Sequence, residues 1–159
     1  MTRRLLADVA LVPMIEPGDK EAGIDSETIL LGSASLVSLL LQFGAVTGDA
    51  VLKLYSGATA GAKTTALAFT YRLSAADYKA ADADTYDADV AVASTGLTLT
   101  AASFANRTMV IDLEVAAMTA DQPWLTAELS AAATVLFVSA VAALGGSRYK
   151  PAATMVPTT

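Results

Sequence analysis

The chain contains neither cysteine nor histidine in its 159 residues. Without cysteine it has no disulfides and no thiolate metal ligands, and redox chemistry gives no indication of its compartment. Without histidine it lacks the commonest general base and the commonest metal ligand. A catalytic site would have to depend on carboxylate, lysine, tyrosine or serine groups. These two absences favour a protein that is not an enzyme.

Basic residues are scarce, with 10 lysines and arginines against 16 aspartates and glutamates and a net charge of -6. They are scattered singly or in one pair, whereas nucleic-acid-binding proteins usually concentrate them on one face. We therefore expect no nucleic-acid partner. The acidic balance favours solubility and opposes nonspecific binding to polyanions.

Two long segments, residues 28–48 and 129–147, have no charged residue, and each is long enough to cross a bilayer. The first contains several serines and glycines and is better explained as two apolar strands separated by residues 32–35 (GSAS). The second is richest in β-branched and aromatic residues at 135–138 (VLFV), which suit a buried strand. Neither segment has the basic flank and aromatic belt of a membrane span. We expect no membrane partner.

One short stretch resembles a phosphate-binding loop but lacks an essential glycine. Residues 57–64 (GATAGAKT) follow an apolar run, and residues 109–112 (MVID) resemble the accompanying metal-binding motif. A phosphate loop needs glycine directly before its lysine, because the backbone there leaves no room for a side chain, and this position is Ala62. Residues 65–72 alternate like a strand where a helix should follow. We predict a β-hairpin loop, with nucleotide binding through Lys63 as the alternative.

Short apolar or alternating runs separated by turn residues are typical of an all-β sandwich or barrel. In the clearest run, residues 109–115, apolar side chains alternate with Asp112 and Glu114, so one face should be buried and the other hydrated. Helical turns are expected only at 74–80 and 116–121. Strands are predicted at residues 7–14, 27–31, 36–43, 50–55, 65–73, 91–93, 97–100, 108–115, 124–130 and 134–144.

The length fits one domain, and no interdomain linker is visible. We expect an N-terminal arm and first strand in residues 1–23, a β-sandwich in residues 24–146 and a C-terminal tail in residues 147–159. Pro13 and Pro17 favour an extended N-terminal segment. Prolines at 151 and 157 disfavour regular strand pairing in the tail.

An acidic loop carries five aspartates between Asp77 and Asp89. Oxygen-rich loops can hold calcium, but the spacing does not match the helix-loop-helix calcium site: Ala93 stands where the bidentate glutamate should be. A solvated acidic loop is the preferred interpretation. A metal ion or a neighbouring protein stays open as its partner, and Tyr78 and Tyr86 are candidate contact residues.

Four groups of strand-like sequence carry a family resemblance. They are residues 8–13 (DVALVP), residues 66–74 (ALAFTYRLS), residues 96–100 (GLTLT) with 109–115 (MVIDLEV), and residues 138–144 (VSAVAAL) with Arg148 and Tyr149. Together they resemble the small head decoration, or cement, proteins of tailed bacteriophages and prophages. The similarity spans most of the chain and lies in strand patterns.

This resemblance implies a jelly-roll-like antiparallel β-sandwich with extended N- and C-terminal arms, located on the outer surface of an icosahedral phage head. It implies neighbouring subunits of the major capsid protein as partners, which the protein would clamp together. It also implies self-association, usually as a homotrimer and sometimes as a dimer. The family has no catalytic residues, so none is carried over, and no cofactor or metal ion is expected.

Binding to such partners should come from apolar burial and from addition of a strand or arm. Trp124, the only tryptophan, is either a packing residue or a half-exposed interface anchor. The alternative function is a tail- or fibre-associated adhesion module that binds host surface carbohydrate, which would also be an all-β trimer. The candidate interface residues are Leu5, Leu6, Pro13, Trp124, Arg148 and Tyr149.

Overall fold

The structure, a computed structural model, describes residues 9–32, 34–132 and 134–145 and the backbone of residues 154–156. In these residues the helical elements are one short helix, α1 (Ala101–Phe104), and a 3-10 turn at Val115–Ala117, and neither is long or apolar enough to cross a membrane. The strands are β1 (Ala10–Asp19), β2 (Ile24–Asp25), β3 (Thr28–Leu30), β4 (Leu36–Val46), β5 (Ala50–Gly57), β6 (Thr65–Leu67), β7 (Phe69–Leu73), β8 (Val90–Val92), β9 (Leu97–Leu99), β10 (Thr108–Glu114), β11 (Trp124–Leu129), β12 (Leu136–Gly145) and β13 (Thr154–Val156).

The strands form two antiparallel sheets that pack face to face, which confirms the expected all-β sandwich. The first sheet has the order β1-β12-β4-β10-β7-β8. The second sheet has the order β13-β3-β11-β5-β6, with β2 also pairing with β11 and β9 with β5. The strand β13 lies in the segment expected to be an unpaired tail and pairs with β3.

The pairing pattern is that of a jelly roll. Nested antiparallel pairs join β1 to β12, β3 to β11, β4 to β10 and β5 to β6. The chain therefore runs as one long antiparallel ribbon whose apex is the loop between β5 and β6. Successive ribbon pairs alternate between the sheets, so β1-β12-β4-β10 form one layer and β3-β11-β5-β6 the other, as in double-sheet jelly rolls.

Strand alternation determines which side chains fill the space between the sheets. On β4, Val37, Leu39, Leu41 and Phe43 are buried, whereas Leu36 and the other alternate residues point away from the core. The same alternation on β5, β10 and β12 supplies the rest of an apolar core. Each large side chain fully buried there stabilises the fold by about 1.5–3 kcal/mol relative to an exposed one.

The structure departs from the strand predictions where the ribbon changes sheets. The run predicted as one strand at residues 65–73 is divided at Ala68 into β6 and β7, because the chain crosses there from the second sheet to the first. The first strand continues through Pro17 to Asp19, since an edge strand tolerates the missing N–H. Residues 74–80 form turns and no helix, and α1 was not predicted.

Candidate functional site

The sequence predicts no convergent catalytic group, so the exposed surfaces of the sandwich are the candidate sites. The outer surface of the first sheet, which faces away from the core, is unusually apolar. On β4, Leu36 and Leu40 point outward and are 41% and 46% exposed. On the neighbouring strands, Leu11 of β1 is 51% exposed and Phe137 of β12 is 44% exposed. A folded protein rarely leaves so many large apolar side chains together in water without a binding role.

Strand register places Leu40 in an apolar row that crosses the sheet. Pro13 lies opposite Val141, Val141 lies opposite Leu40, and Leu40 lies opposite Val110, which makes one continuous row across four strands. Side chains of directly opposite residues share one face of the sheet. We call the outward set the apolar face, and it consists of Leu11, Pro13, Leu36, Leu40, Val110, Phe137, Val141 and Ala143.

A polar cluster on β4, β10 and β7 lies in the row next to that of Leu40, in line with Leu11 and Ala143. The Asp112 carboxylate accepts hydrogen bonds from Arg72 Nη2 at 2.7 Å and from Ser38 Oγ at 2.5 Å. Arg72 Nε also lies 3.5 Å from an Asp89 oxygen. Ser38 separates Leu36 from Leu40 along β4, so the apolar face is crossed by polar groups whose positions these contacts fix. Apolar side chains and fixed polar groups occur together in protein-binding surfaces.

The structure separates the candidate interface residues predicted from sequence. Pro13 is exposed and belongs to the apolar face of the first sheet. Trp124 is half-buried on β11 of the second sheet, and its alternation with buried Leu125 directs it outward on the opposite side of the sandwich. These two residues therefore do not form one surface. The other four, Leu5, Leu6, Arg148 and Tyr149, lie outside the described residues.

The remaining members of the apolar face were missed from the sequence, although a signal was present. Residues 36–41 (LVSLLL) contain leucine in both phases of the strand alternation. A half-buried strand alternates apolar and polar residues, so apolar residues in both phases indicate a second, external apolar contact.

The phosphate-loop-like segment is the predicted hairpin loop, because β5 and β6 pair directly on either side of it. Lys63 Nζ donates to Asp25 Oδ1 at 3.0 Å and to Glu128 Oε2, and lies 5.8 Å from the centre of the Tyr55 ring. The hydrogen bond to Glu128 raises the pKa of Lys63 above its ordinary value of 10.5; burial opposes this effect, and Asp25 adds to it. We call Lys63, Asp25 and Glu128 the lysine clasp.

Lys63 and Asp112, the two residues of the nucleotide-binding alternative, lie on opposite sides of the molecule. The lysine clasp joins Lys63 to β2 and β11 on the second sheet, whereas Asp112 contacts β4 and β7 on the first. A phosphate loop needs its lysine and its metal-binding carboxylate near the same phosphates. The two residues therefore do not form a nucleotide site together.

The acidic loop folds as a series of turns. The backbone N–H of Lys79 donates to Asp77 Oδ1 at 2.9 Å, and Tyr86 forms an isolated bridge with Ser74. Tyr78 and Tyr86 are 47% and 40% exposed. Across the part of the chain that the structure describes, no three carboxylates converge as a metal-binding group. The two tyrosines remain candidate contact residues.

Comparison with known proteins gave no match of any kind: no family model, no curated protein and no solved structure is similar to this chain.

Proposed function

We propose that this chain is a structural virion protein that decorates the outside of a phage capsid and cements neighbouring subunits of the major capsid protein. The observation that carries the proposal is the exposed apolar face on a rigid jelly-roll sandwich. A cementing protein needs an apolar surface that is buried only on the assembled shell, and a stable frame to hold that surface flat. The family resemblance of the strand sequences supports the same function.

The energetics of the apolar face favour binding by an oligomer. Its four largest exposed side chains are between 41% and 51% exposed, so burying them would contribute about 1 kcal/mol each. Association costs roughly 4–15 kcal/mol in lost freedom of motion, so one copy would bind weakly. Linked copies on adjacent capsid subunits gain avidity without new contacts. A homotrimer, or alternatively a dimer, is therefore the expected binding form.

The proposal is tested with purified expanded heads that lack the protein. Adding the wild-type chain should restore resistance to DNA loss on heating or chelation. The Leu40→Lys variant should bind heads at least tenfold more weakly, because an ammonium group in the centre of the apolar face would have to be desolvated. Thr59→Lys, an exposed position of the hairpin loop, is the matched control with the same added charge.

Sedimentation of heads with bound protein gives the affinity, and thermal unfolding checks that both variants are folded. Equal binding by the Leu40→Lys variant would show that the apolar face is not the capsid contact. Equal heat resistance of heads with and without the wild-type protein would remove the cementing role itself.

An adhesion module that binds host carbohydrate is the second candidate, and a cleft at one end of the sandwich, lined by both apolar and polar side chains, favours it. The two functions differ in what the whole chain binds. A decoration protein binds expanded heads, whereas an adhesion module binds host cells and not heads. The same labelled preparation, offered to both, distinguishes them.

A further inference from the structure

The sandwich is open at one end, where a cleft of about 500 Å³ lies between β7 and β8 on one side and β9 and α1 on the other. By strand register Val90 and Tyr71 are paired and point toward the interior, on the same side as buried Phe69 and Leu73. Val90 is nevertheless 45% exposed, and Tyr71 is only half-buried. These inward side chains therefore line a solvent-filled opening.

The cleft has an apolar floor and a polar rim. The floor includes buried Leu73 and Phe104, and the rings of Tyr71 and Phe104 lie 6.2 Å apart at a tilt of 41°. The rim includes Arg107, Asp87 and Ser103. A cleft of this size, which combines apolar side chains with placed polar groups, can hold a small ligand.

The rim groups retain unused hydrogen-bonding capacity. Arg107 Nη1 donates to the Ser74 carbonyl oxygen at 3.2 Å, which leaves most of its guanidinium N–H groups available. The Asp87 carboxylate and the Ser103 hydroxyl make no side-chain hydrogen bond within the described residues. The rim therefore offers a fixed cationic donor, an anionic acceptor and a hydroxyl that can act as either.

We propose that this cleft binds a neutral saccharide. A sugar ring has an apolar C–H surface that matches the aromatic and aliphatic floor, and hydroxyl groups that both donate and accept. Asp87 would accept from a sugar hydroxyl, while Arg107 would donate to another. The Asp87 charge and the net charge of -6 oppose an anionic ligand, which favours an uncharged sugar over a phosphate or an acidic sugar.

The proposal goes beyond the decoration function and does not depend on it. The apolar face covers the outer side of the first sheet, whereas the cleft opens between the two sheets at the β8 end. Both surfaces can be used at once. A capsid-bound copy would then present a sugar-binding site to the medium.

The test uses the full-length chain, labelled with nitrogen-15, and a panel of glucose, galactose, mannose, N-acetylglucosamine, maltose and lactose. Each sugar is titrated to about 10 mM, above the roughly 1 mM dissociation constant of a weak site. At least one sugar should produce saturable shifts of the amide signals around the cleft, including those of Tyr71, Asp87 and Ser103. The absence of such shifts with every sugar would overturn the proposal, as would shifts confined to another part of the molecule.

Two variants assign the binding to the rim. Asp87→Ala and Ser103→Ala should each lower the affinity for the tightest-binding sugar by about tenfold, as expected for loss of one well-formed hydrogen bond. Asp89→Ala is the matched control, because its carboxylate lies near Arg72 beside the apolar face and not in the cleft. If all three variants bind as the wild type does, the saccharide site is not this cleft. If the cleft binds no sugar, head binding by the apolar face is unaffected, so the two proposals can be tested separately.

Discussion

At the scale of single residues, Gly57 explains why a phosphate-loop-like sequence occurs in a hairpin. A Cβ atom at position 57 would lie 2.2 Å from the Ala62 carbonyl oxygen and 2.8 Å from the Ala62 Cβ. The loop therefore closes directly onto the glycine backbone at the end of β5. Glycine is required here for close approach of two chain segments, and phosphate binding is not needed to explain it.

We predict that Gly57→Ala lowers the free energy of unfolding by about 1–3 kcal/mol, the usual cost of forcing extra atoms into a packed position. The control is Gly145→Ala, because a Cβ atom there would meet nothing within 4 Å. Urea unfolding of both variants provides the measurement. If Gly57→Ala matches the wild type while folding normally, the close approach of the loop is not maintained in solution.

At the scale of elements, the lysine clasp fastens the hairpin loop to the second sheet. Lys63 follows the turn that begins at β5, while its two carboxylate partners belong to β2 and β11. The lysine side chain is 32% exposed, and those of Asp25 and Glu128 are 42% and 26% exposed. Ion pairs of this exposure contribute modestly to stability, and here they hold the apex of the ribbon in place.

We predict that Lys63→Met lowers the free energy of unfolding by about 1 kcal/mol near neutral pH, as expected for two partly exposed ion pairs. Since the pKa of Lys63 is raised in the folded state above 10.5, its stabilisation is fully present below pH 10.5. It is lost as the pH rises through the folded-state pKa. Urea unfolding across this range should show the difference from wild type vanishing at high pH.

The matched control for this experiment is Lys79→Met. The Lys79 side chain makes no ion pair within the described residues, and its Nζ lies 5.6 Å from the Tyr78 ring centre. The Lys79→Met substitution should therefore change the free energy of unfolding little at every pH. A difference between wild type and Lys63→Met that persists unchanged above the folded-state pKa would mean that the charge of Lys63 is not what stabilises the loop.

Most strands could be predicted because burial on one face imposes a period of two on the sequence, as on β10, where Met109, Ile111 and Leu113 are buried. The division of residues 65–73 could not be predicted, because Ala68 does not interrupt the alternation where the chain changes sheets. The helix α1 is only four residues long, too short to show a helical period. Its position follows from tertiary packing of buried Phe104 against Phe43.

The candidate site could be predicted only in part. Pro13 was identified from its place in an extended segment, but its neighbours Val141 and Leu40 come from distant parts of the chain. The cleft is also built from distant parts of the chain. Tyr71, Asp87 and Arg107 line it together only because β7, β8 and the segment after α1 converge. Such surfaces depend on strand order and register, and these are not encoded in any local pattern.

At the scale of the whole molecule, the strand pairs are nested one inside another, so most of them join residues far apart in the sequence. The pairing of β1 with β12 joins Ala10 to Leu144, whereas among the described strands only β5 and β6 pair across a short loop. Closing long loops costs chain entropy before the distant contacts form. A fold of this kind is expected to assemble slowly, starting from the ribbon apex.

We predict that the chain refolds from urea in milliseconds to seconds, the range of domains dominated by non-local strand pairs. Stopped-flow fluorescence of Trp124 is a clean probe, since it is the only tryptophan and lies in β11. Far-ultraviolet circular dichroism over the same interval should give the same main rate. Refolding in microseconds, or dichroism dominated by helix, would contradict the fold.

The first strand has a consequence for how the free protein behaves when it is concentrated. Among the described residues β1 is an outer edge of its sheet and pairs only with β12. Pro13 and Pro17 have no N–H to offer, and the register is irregular on both sides of Ile15. Because donors are missing and the register is irregular, this edge is a poor template for pairing with a further strand and for fibril growth. The free protein is therefore expected to stay dissolved at concentrations where an open, regular edge strand would seed aggregates.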